Sequence, residues 1–221
     1  TQQAAYNLLD NKKVVFFTNE MTAEQISFRL DSNLSEIKYR RFERGNISKI
    51  KLKKWRGTVK SLVKSGQLKI VEIYQGCSVL DIENTIRKYK MKPDVLIVDY
   101  AQRMSPSYST GKSADLDWQG IGTVVRELKD LALRKPIPVV TAVQLKPNAA
   151  EKETLVLSDI ALSPTVINSE ADFLIGLILT EKMKTLGRGY LQFLKIRKGA
   201  EKDKIPFIPN YNLIRIDDAN E

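Results

Sequence analysis

Histidine is absent from all 221 residues. That removes histidine general bases, His–Cys nucleophiles and most zinc schemes, so any hydrolysis here must use carboxylates and a bound metal. Cysteine is nearly absent as well. Cys77 stands alone, which excludes an internal disulfide and fits a reducing, cytoplasmic compartment. No apolar run reaches the roughly 18 residues that a membrane span needs, and no secretory signal is visible. Acids are scarce where basic residues cluster most densely. Between Lys38 and Lys69 stand twelve Lys or Arg residues and a single carboxylate, Glu43.

What is present is an ordinary globular composition, 43% hydrophobic and 28% charged, enough for one large domain with a substantial core. The formal charge of +10 is concentrated in the 38–69 segment and leaves the remainder near neutral. Clustering of this kind is the electrostatic footprint of a polyanion partner, most simply nucleic acid. The plainer reading is a solvated helical face.

Patterning places a helix over Gln2 to Leu9 and a buried strand at Val14 to Thr18. Thr22 is the expected N-cap of a helix from Ala23 to Leu30. The basic segment reads as helical over Leu52 to Val63, with Trp55 and Val59 in its apolar stripe, and Gly66 stops it. A strand follows at Leu68 to Tyr74, then a helix opened by Ser78 or Asp81 and running to Tyr89. Val95 to Asp99 is an uninterrupted aliphatic run of the type seen in a parallel strand covered on both faces. Ser105 to Gly111 reads as a polar loop, Asp117 to Arg134 as a helix, Ile137 to Val143 as a strand, and Leu145 to Ile167 as mostly loop. Four strands without intervening helices then follow, from Phe173, Tyr190, Ile205 and Leu213. Strand–helix alternation followed by strands implies an α/β fold, a mainly parallel sheet with helices on both faces and an antiparallel C-terminal extension.

In open α/β sheets ligands sit at the carboxyl ends of strands, and three strands here end in polar residues. Asp99 can hold a Mg²⁺–nucleotide through the metal's water shell; the alternative is a turn aspartate. Glu20, just past the first strand, can orient and deprotonate a water, or merely favour a helix dipole. Gln144 can sense a terminal phosphate and pass its presence to the loop beyond, where Lys146, Asn148 and Lys152 offer phosphate contacts. Lys195 and Arg197 alternate along one strand face and could clamp developing phosphoryl charge, or simply protect an edge. Gly111-Lys112-Ser113 resembles the end of a phosphate-binding loop, yet Pro106 stands where its first glycine belongs. Lys112 is better read as part of a loop touching nucleic acid.

Phe17-Thr18-Asn19-Glu20-Met21-Thr22-Ala23-Glu24-Gln25, Leu96 to Gln102 with its Asp-Tyr-x-Gln run, Gln144-Leu145 and Lys195-x-Arg197-x-Gly199 occur in a fixed order. Together they resemble the RecA-like motor domain of DnaB-type replicative DNA helicases, particularly those of phages. The resemblance implies ATP and Mg²⁺ as ligands. It makes Glu20, Asp99 and Gln144 catalytic, with Asp99 at the metal and Arg29 at the nucleotide. Lys195 and Arg197 would reach a neighbour's nucleotide in a homo-oligomeric, hexameric ring. Single-stranded DNA would be gripped near Arg103, Lys112, Lys146, Asn148 and Lys152, and a primase and a helicase loader would be further partners. The setting would be the cytoplasm of a bacterium or phage-infected host. The expected domain is one RecA-like unit over 1–221 in which the family's first strand and phosphate-binding loop are missing. The family's collar domain and its Arg-Glu-Ser-Gly run are missing too, so the chain is expected to be inactive by itself. Rival readings are a RecA-type recombinase forming filaments, and a scaffold or loader that lost its phosphate-binding loop.

Overall fold

The structure, a computed structural model, describes residues 1–108, 118–198 and 204–219; Lys112, the end of the 105–111 loop and Gly199 lie outside them. Helix α1 (Gln2–Leu9) buries Ala4, Ala5 and Leu8 on one face and leads to β1 (Val14–Thr18), buried along its whole length. Helix α2 (Ala23–Ser35) starts at a capping box between Thr22 and Gln25. It continues past the expected end at Leu30 because its last polar residues are satisfied inside the fold. Ser32 Oγ donates to the Ile37 carbonyl at 2.8 Å, and Asn33 Nδ2 donates to Arg29 and Leu213 carbonyls at 2.9 and 3.1 Å. Apolar periodicity cannot register such residues.

Two further helices, α3 (Tyr39–Glu43) and α4 (Lys49–Ser65), carry the basic segment. Strand β2 (Leu68–Glu72) follows, two residues shorter than expected. Helix α5 (Val79–Lys88) uses both predicted openers, since Ser78 caps the helix and Asp81 closes the box. After β3 (Val95–Asp99) come a 3₁₀ turn at Ala101–Arg103, α6 (Trp118–Arg134) and β4 (Val139–Thr141). The remaining elements are α7 (Pro164–Glu170), β5 (Phe173–Ile178), α8 (Glu181–Thr185), β6 (Gly189–Ile196), β7 (Lys204–Asn210) and β8 (Arg215–Asp218).

The first four strands form a parallel sheet in the order β2-β1-β3-β4, and the last four an antiparallel sheet in the order β5-β6-β7-β8. The parallel sheet is covered on both faces. Val15, Phe17, Leu96 and Val98 pack with Ile82, Val124 and Leu131 of α5 and α6. Val14, Phe16, Val95 and Ile97 pack instead with Ala4, Leu8, Ile26 and Leu30 of α1 and α2. Side chains that alternate between two buried faces explain why β1 and β3 read as continuous apolar runs. Phe16 and Phe17 are among the largest fully buried side chains, and each contributes roughly 1.5–3 kcal/mol through burial.

Two sequence expectations are corrected, and a third is refined. The 145–167 segment is mostly loop, as expected, but it also holds 3₁₀ turns at Pro147–Ala149 and Leu157–Asp159 and the start of α7. Polar contacts organise it, among them the Lys152–Asp159 ion pair at 2.5 Å and the Leu155 N–H donating to Gln192 Oε1 at 2.8 Å. Helix α8 interrupts the supposed uninterrupted strands, with the Thr180 hydroxyl capping it. The last strand begins at Arg215 because a turn precedes it.

Beneath the lysines of α4, Trp55 meets Phe42 edge-on at 6.2 Å, and Phe42 stacks with Phe28 at the same separation. Asp31 lies against this cluster. Burial pushes its carboxyl up to about 6, opposed by a hydrogen bond from Trp55. A folded-state value above the unfolded one means stability is greatest below pH ~4 and falls as pH rises through about 6. D31N is therefore expected to be more stable than the parent above pH 7, by about 1 kcal/mol after allowing for partial exposure, and no more stable at pH 4. Urea unfolding at the two pH values checks this. Burial also pushes the Cys77 thiol up to about 12, which leaves it protonated and unreactive.

Candidate active site

Because β1, β3 and β4 run parallel, their carboxyl ends form one rim. Thr18 pairs in register with Asp99, and the Asn19 N–H donates to the Asp99 carbonyl at 3.0 Å. The buried Asn19 side chain then binds the next residue twice. Its Nδ2 donates to the Tyr100 carbonyl at 3.0 Å, and its Oδ1 accepts the Tyr100 N–H at 2.9 Å. The Asp99–Tyr100 peptide is cis. Thr141 performs a similar service between β3 and β4, its hydroxyl donating to the Val98 carbonyl at 2.9 Å and accepting the Ala101 N–H at 3.1 Å. Just beyond, the Gln144 N–H donates to Gln102 Oε1 at 2.5 Å, and Gln144 Nε2 donates to the Tyr100 hydroxyl at 3.0 Å. Glu20, Asp99 and Gln144 thus stand on the same rim, tied through Asn19 and Tyr100.

Glu20 sits in a tight turn closed by Thr18, whose hydroxyl donates to the Met21 carbonyl at 2.8 Å and accepts the Met21 N–H at 3.1 Å. Its side chain is exposed. The start of α2 is already served by Glu72 at the end of β2, whose carboxylate accepts the Ala23 N–H at 2.6 Å. Glu72 is therefore a third acid on the rim, but an engaged one. Glu20 has no hydrogen bond or ion pair with any described residue.

The start of α1 faces the same place. Thr1 lies near both Asp99 and Arg29. Arg29 is half-buried, and its Nε is shielded from solvent with no hydrogen-bond partner among the described residues. A buried guanidinium nitrogen without an acceptor is costly unless an anion completes it. No group of three or more Cys, Asp or Glu side chains poised for a metal occurs among the described residues. The rim therefore suits a metal that takes one carboxylate and fills its other positions with water and phosphate oxygens, as Mg²⁺ does.

Lys195 and Arg197 are brought together, but not to this rim. Both reach the C-terminal carbonyls of α7: Lys195 Nζ donates to Asn168 and, at 3.2 Å, to Ser169, and Arg197 Nη2 donates to Ser169 at 2.9 Å. Asp172 lies between them and α6, at 2.6 Å from Lys129 and 3.3 Å from Arg197. A hydrogen bond from Lys129 holds the Asp172 carboxyl below its usual range, helped by the nearby charges of Arg197 and Lys195.

The expected DNA contacts divide. Arg103 reaches Gln75 at 3.3 Å, and Lys146 and Asn148 are exposed, Lys146 lining a cleft of about 490 Å³ with residues 160–166. Lys152 is committed to Asp159, whose buried side chain it keeps ionised. Sequence gives Asn19 and Gln102 only as members of longer motifs, and Thr141 no role. Asn19 and Thr141 stand at the ends of apolar strands, but the roles of all three depend on strand register.

The family model for the DnaB-like helicase C terminal domain matches residues 1–210. The DnaB-like replicative helicase of Enterobacteria phage T4 is 27% identical over 201 residues, 86% of this chain and 41% of that protein. The replicative DNA helicase DnaB of Helicobacter pylori strain 26695 is 30% identical over 206 residues, 90% of this chain and 38% of that one. The chain thus spans about two fifths of these relatives. Among solved structures, a DnaB-like replicative helicase described with its primase interactions superposes with a TM-score of 0.82 at 18% identity, over 99% of this chain and 53% of that one. A structure described as an ATPase domain gives 0.79, also at 18% identity, over 99% of this chain and 81% of that one. The fold is that of these ATPase domains, and by its match over residues 1–210 the chain belongs to the DnaB-like helicase C-terminal domain family.

Proposed function

We propose that this chain is the ATP-hydrolysing motor of a ring-forming replicative DNA helicase, and that it works between neighbouring copies of itself. The observation that carries the reading is the convergence of Glu20, Asp99 and Gln144 through the Asn19–Tyr100–Gln144 hydrogen bonds. In this reading Asp99 holds Mg²⁺ through water, and Arg29 offers its unpartnered Nε to the nucleotide. The metal would supply charge neutralisation at the phosphates. Glu20, free of other duties, orients and deprotonates the attacking water. Gln144 exchanges its bond to Tyr100 for one to the terminal phosphate, which moves the 145–167 segment. Lys195 and Arg197 serve the adjoining copy. A ring of six, threaded by single-stranded DNA held near Arg103, Lys112, Lys146 and Asn148, completes the assembly. Primase and a loader are its proposed partners. No G-x-x-x-x-G-K-[ST] run occurs in the 221 residues, so the reading needs a backbone cradle for the phosphates from chain beyond them.

The test is ATP hydrolysis by the intact protein with and without single-stranded DNA. The rate is expected to rise with DNA and the effect to weaken with salt. An unchanged rate would overturn the proposal. Electron microscopy on DNA separates closed rings from the filaments of a recombinase, and absence of ATP binding would point to a scaffold.

A further inference from the structure

Around the C-terminal end of α2 the surface is predominantly basic, with exposed Glu43 the one acid of α3. A cleft of about 160 Å³ opens there, with Lys38, Arg40, Arg41 and Arg44 on one side and Tyr211 and Asn212 on the other. All four cations are exposed, and none forms an ion pair with a described residue. The nearby acid Glu36 is used elsewhere, 3.5 Å from Arg215. Four like charges left uncompensated repel one another, a cost that a ligand of opposite sign removes.

The walls are fixed. The Tyr39 N–H donates to the Asn212 carbonyl at 2.8 Å, and Asn33 Nδ2 donates to the Leu213 and Ile214 carbonyls at 3.1 and 3.2 Å. Phe42, buried against Trp55, anchors α3 from below. The turn between β7 and β8 is thereby held against the basic helix. The cleft is also remote from the strand-end rim. Helix α2 has 13 residues and starts at the rim, which puts its far end roughly 20 Å away at 1.5 Å per residue.

Three features favour a nucleic-acid backbone over an acidic protein. Three of the four cations are arginines, whose planar forks match phosphate oxygens. Tyr211, 60% exposed beside them, offers a ring on which a base can stack. The charge also continues into α4, where exposed Lys49, Lys53 and Arg56 stand at i, i+4 and i+7 on one helix face, a row suited to a repeating polyanion. We propose that this cleft is a nucleic-acid site separate from the motor's own DNA channel. It would hold phosphodiester groups of single-stranded nucleic acid on Arg40, Arg41 and Arg44, with a base against Tyr211.

The experiment is fluorescence anisotropy of a labelled oligothymidine with the intact protein across a salt series. The triple variant R40Q/R41Q/R44Q is expected to bind at least about tenfold more weakly near 50 mM salt, with a log–log salt slope reduced by about 2. K88Q/K90Q/K92Q, which removes equal charge from the exposed end of α5 and the segment after it, should bind like the parent. Y211A should lose about tenfold in affinity with an unchanged salt slope, as expected for lost stacking. Basal ATP hydrolysis should be unaffected in all three. The proposal fails if the arginine variant matches the lysine control. It fails equally if Y211A binds normally while polyglutamate binding shows the same dependence on the three arginines, which would indicate an acidic protein partner. These readouts are binding constants, so they stand whether or not DNA stimulates ATP hydrolysis.

Discussion

E20Q is expected to bind ATP as the parent does and to hydrolyse it about 10²–10⁴-fold more slowly, the range for loss of a positioned general base. The substitution is nearly isosteric and removes only the ability to take a proton. Two observations make the expectation sharp. Glu20 is exposed on the rim beside Asp99. The start of α2, which an acid in this position could otherwise serve, is already occupied by Glu72 and the Thr22–Gln25 box. If Glu20 only favoured the helix dipole, the substitution would cost a few tenths of a kcal/mol in stability and leave turnover intact. Single-turnover hydrolysis, measured with nucleotide binding on the same samples, separates the outcomes.

R197A is expected to lose about 10³-fold or more in ATP hydrolysis, the scale on which arginines act at developing phosphoryl charge. Among the described residues the hydrogen bonds and ion pair of Arg197 reach only α7 and Asp172. No hydrogen bond or ion pair joins it to Asp99, Glu20 or Gln144 among the described residues. If it acts at all, it acts on another copy. Mixing two inactive proteins tests this directly. E20Q subunits still offer Arg197, and R197A subunits still offer Glu20, so roughly a quarter of randomly formed head-to-tail interfaces are whole. Activity regained on mixing supports the shared site. No recovery, or full activity of R197A alone, reduces Arg197 to a helix C-terminal cation that contributes only stability.

The parallel half of the molecule was legible because its physics is local. Strands β1 and β3 are buried on both faces, so their composition alone marks them, and α1 and α5 have clear apolar faces and stop signals. The rim residues were visible for the same reason, since a carboxylate or amide ending an apolar strand stands out. Less legible was whatever depends on distant partners. The last turns of α2 carry polar residues satisfied by the β7–β8 turn, some 180 positions away in sequence. Helix α7 hides in a polar stretch, its C-terminal carbonyls met by Lys195 and Arg197 from another strand. Lys152 looked like a phosphate contact until its partner Asp159 was placed. Glu72 and Glu20 are chemically alike in sequence, and only the fold shows which one is already spoken for.

Asn19 grips Tyr100 with one donor and one acceptor at the same time. Aspartate, with no N–H to give, would instead push against the Tyr100 carbonyl and the neighbouring Asp99. Slow hydrolysis of that one amide as the protein ages would therefore unhinge the rim while every reacting carboxylate stayed chemically unchanged.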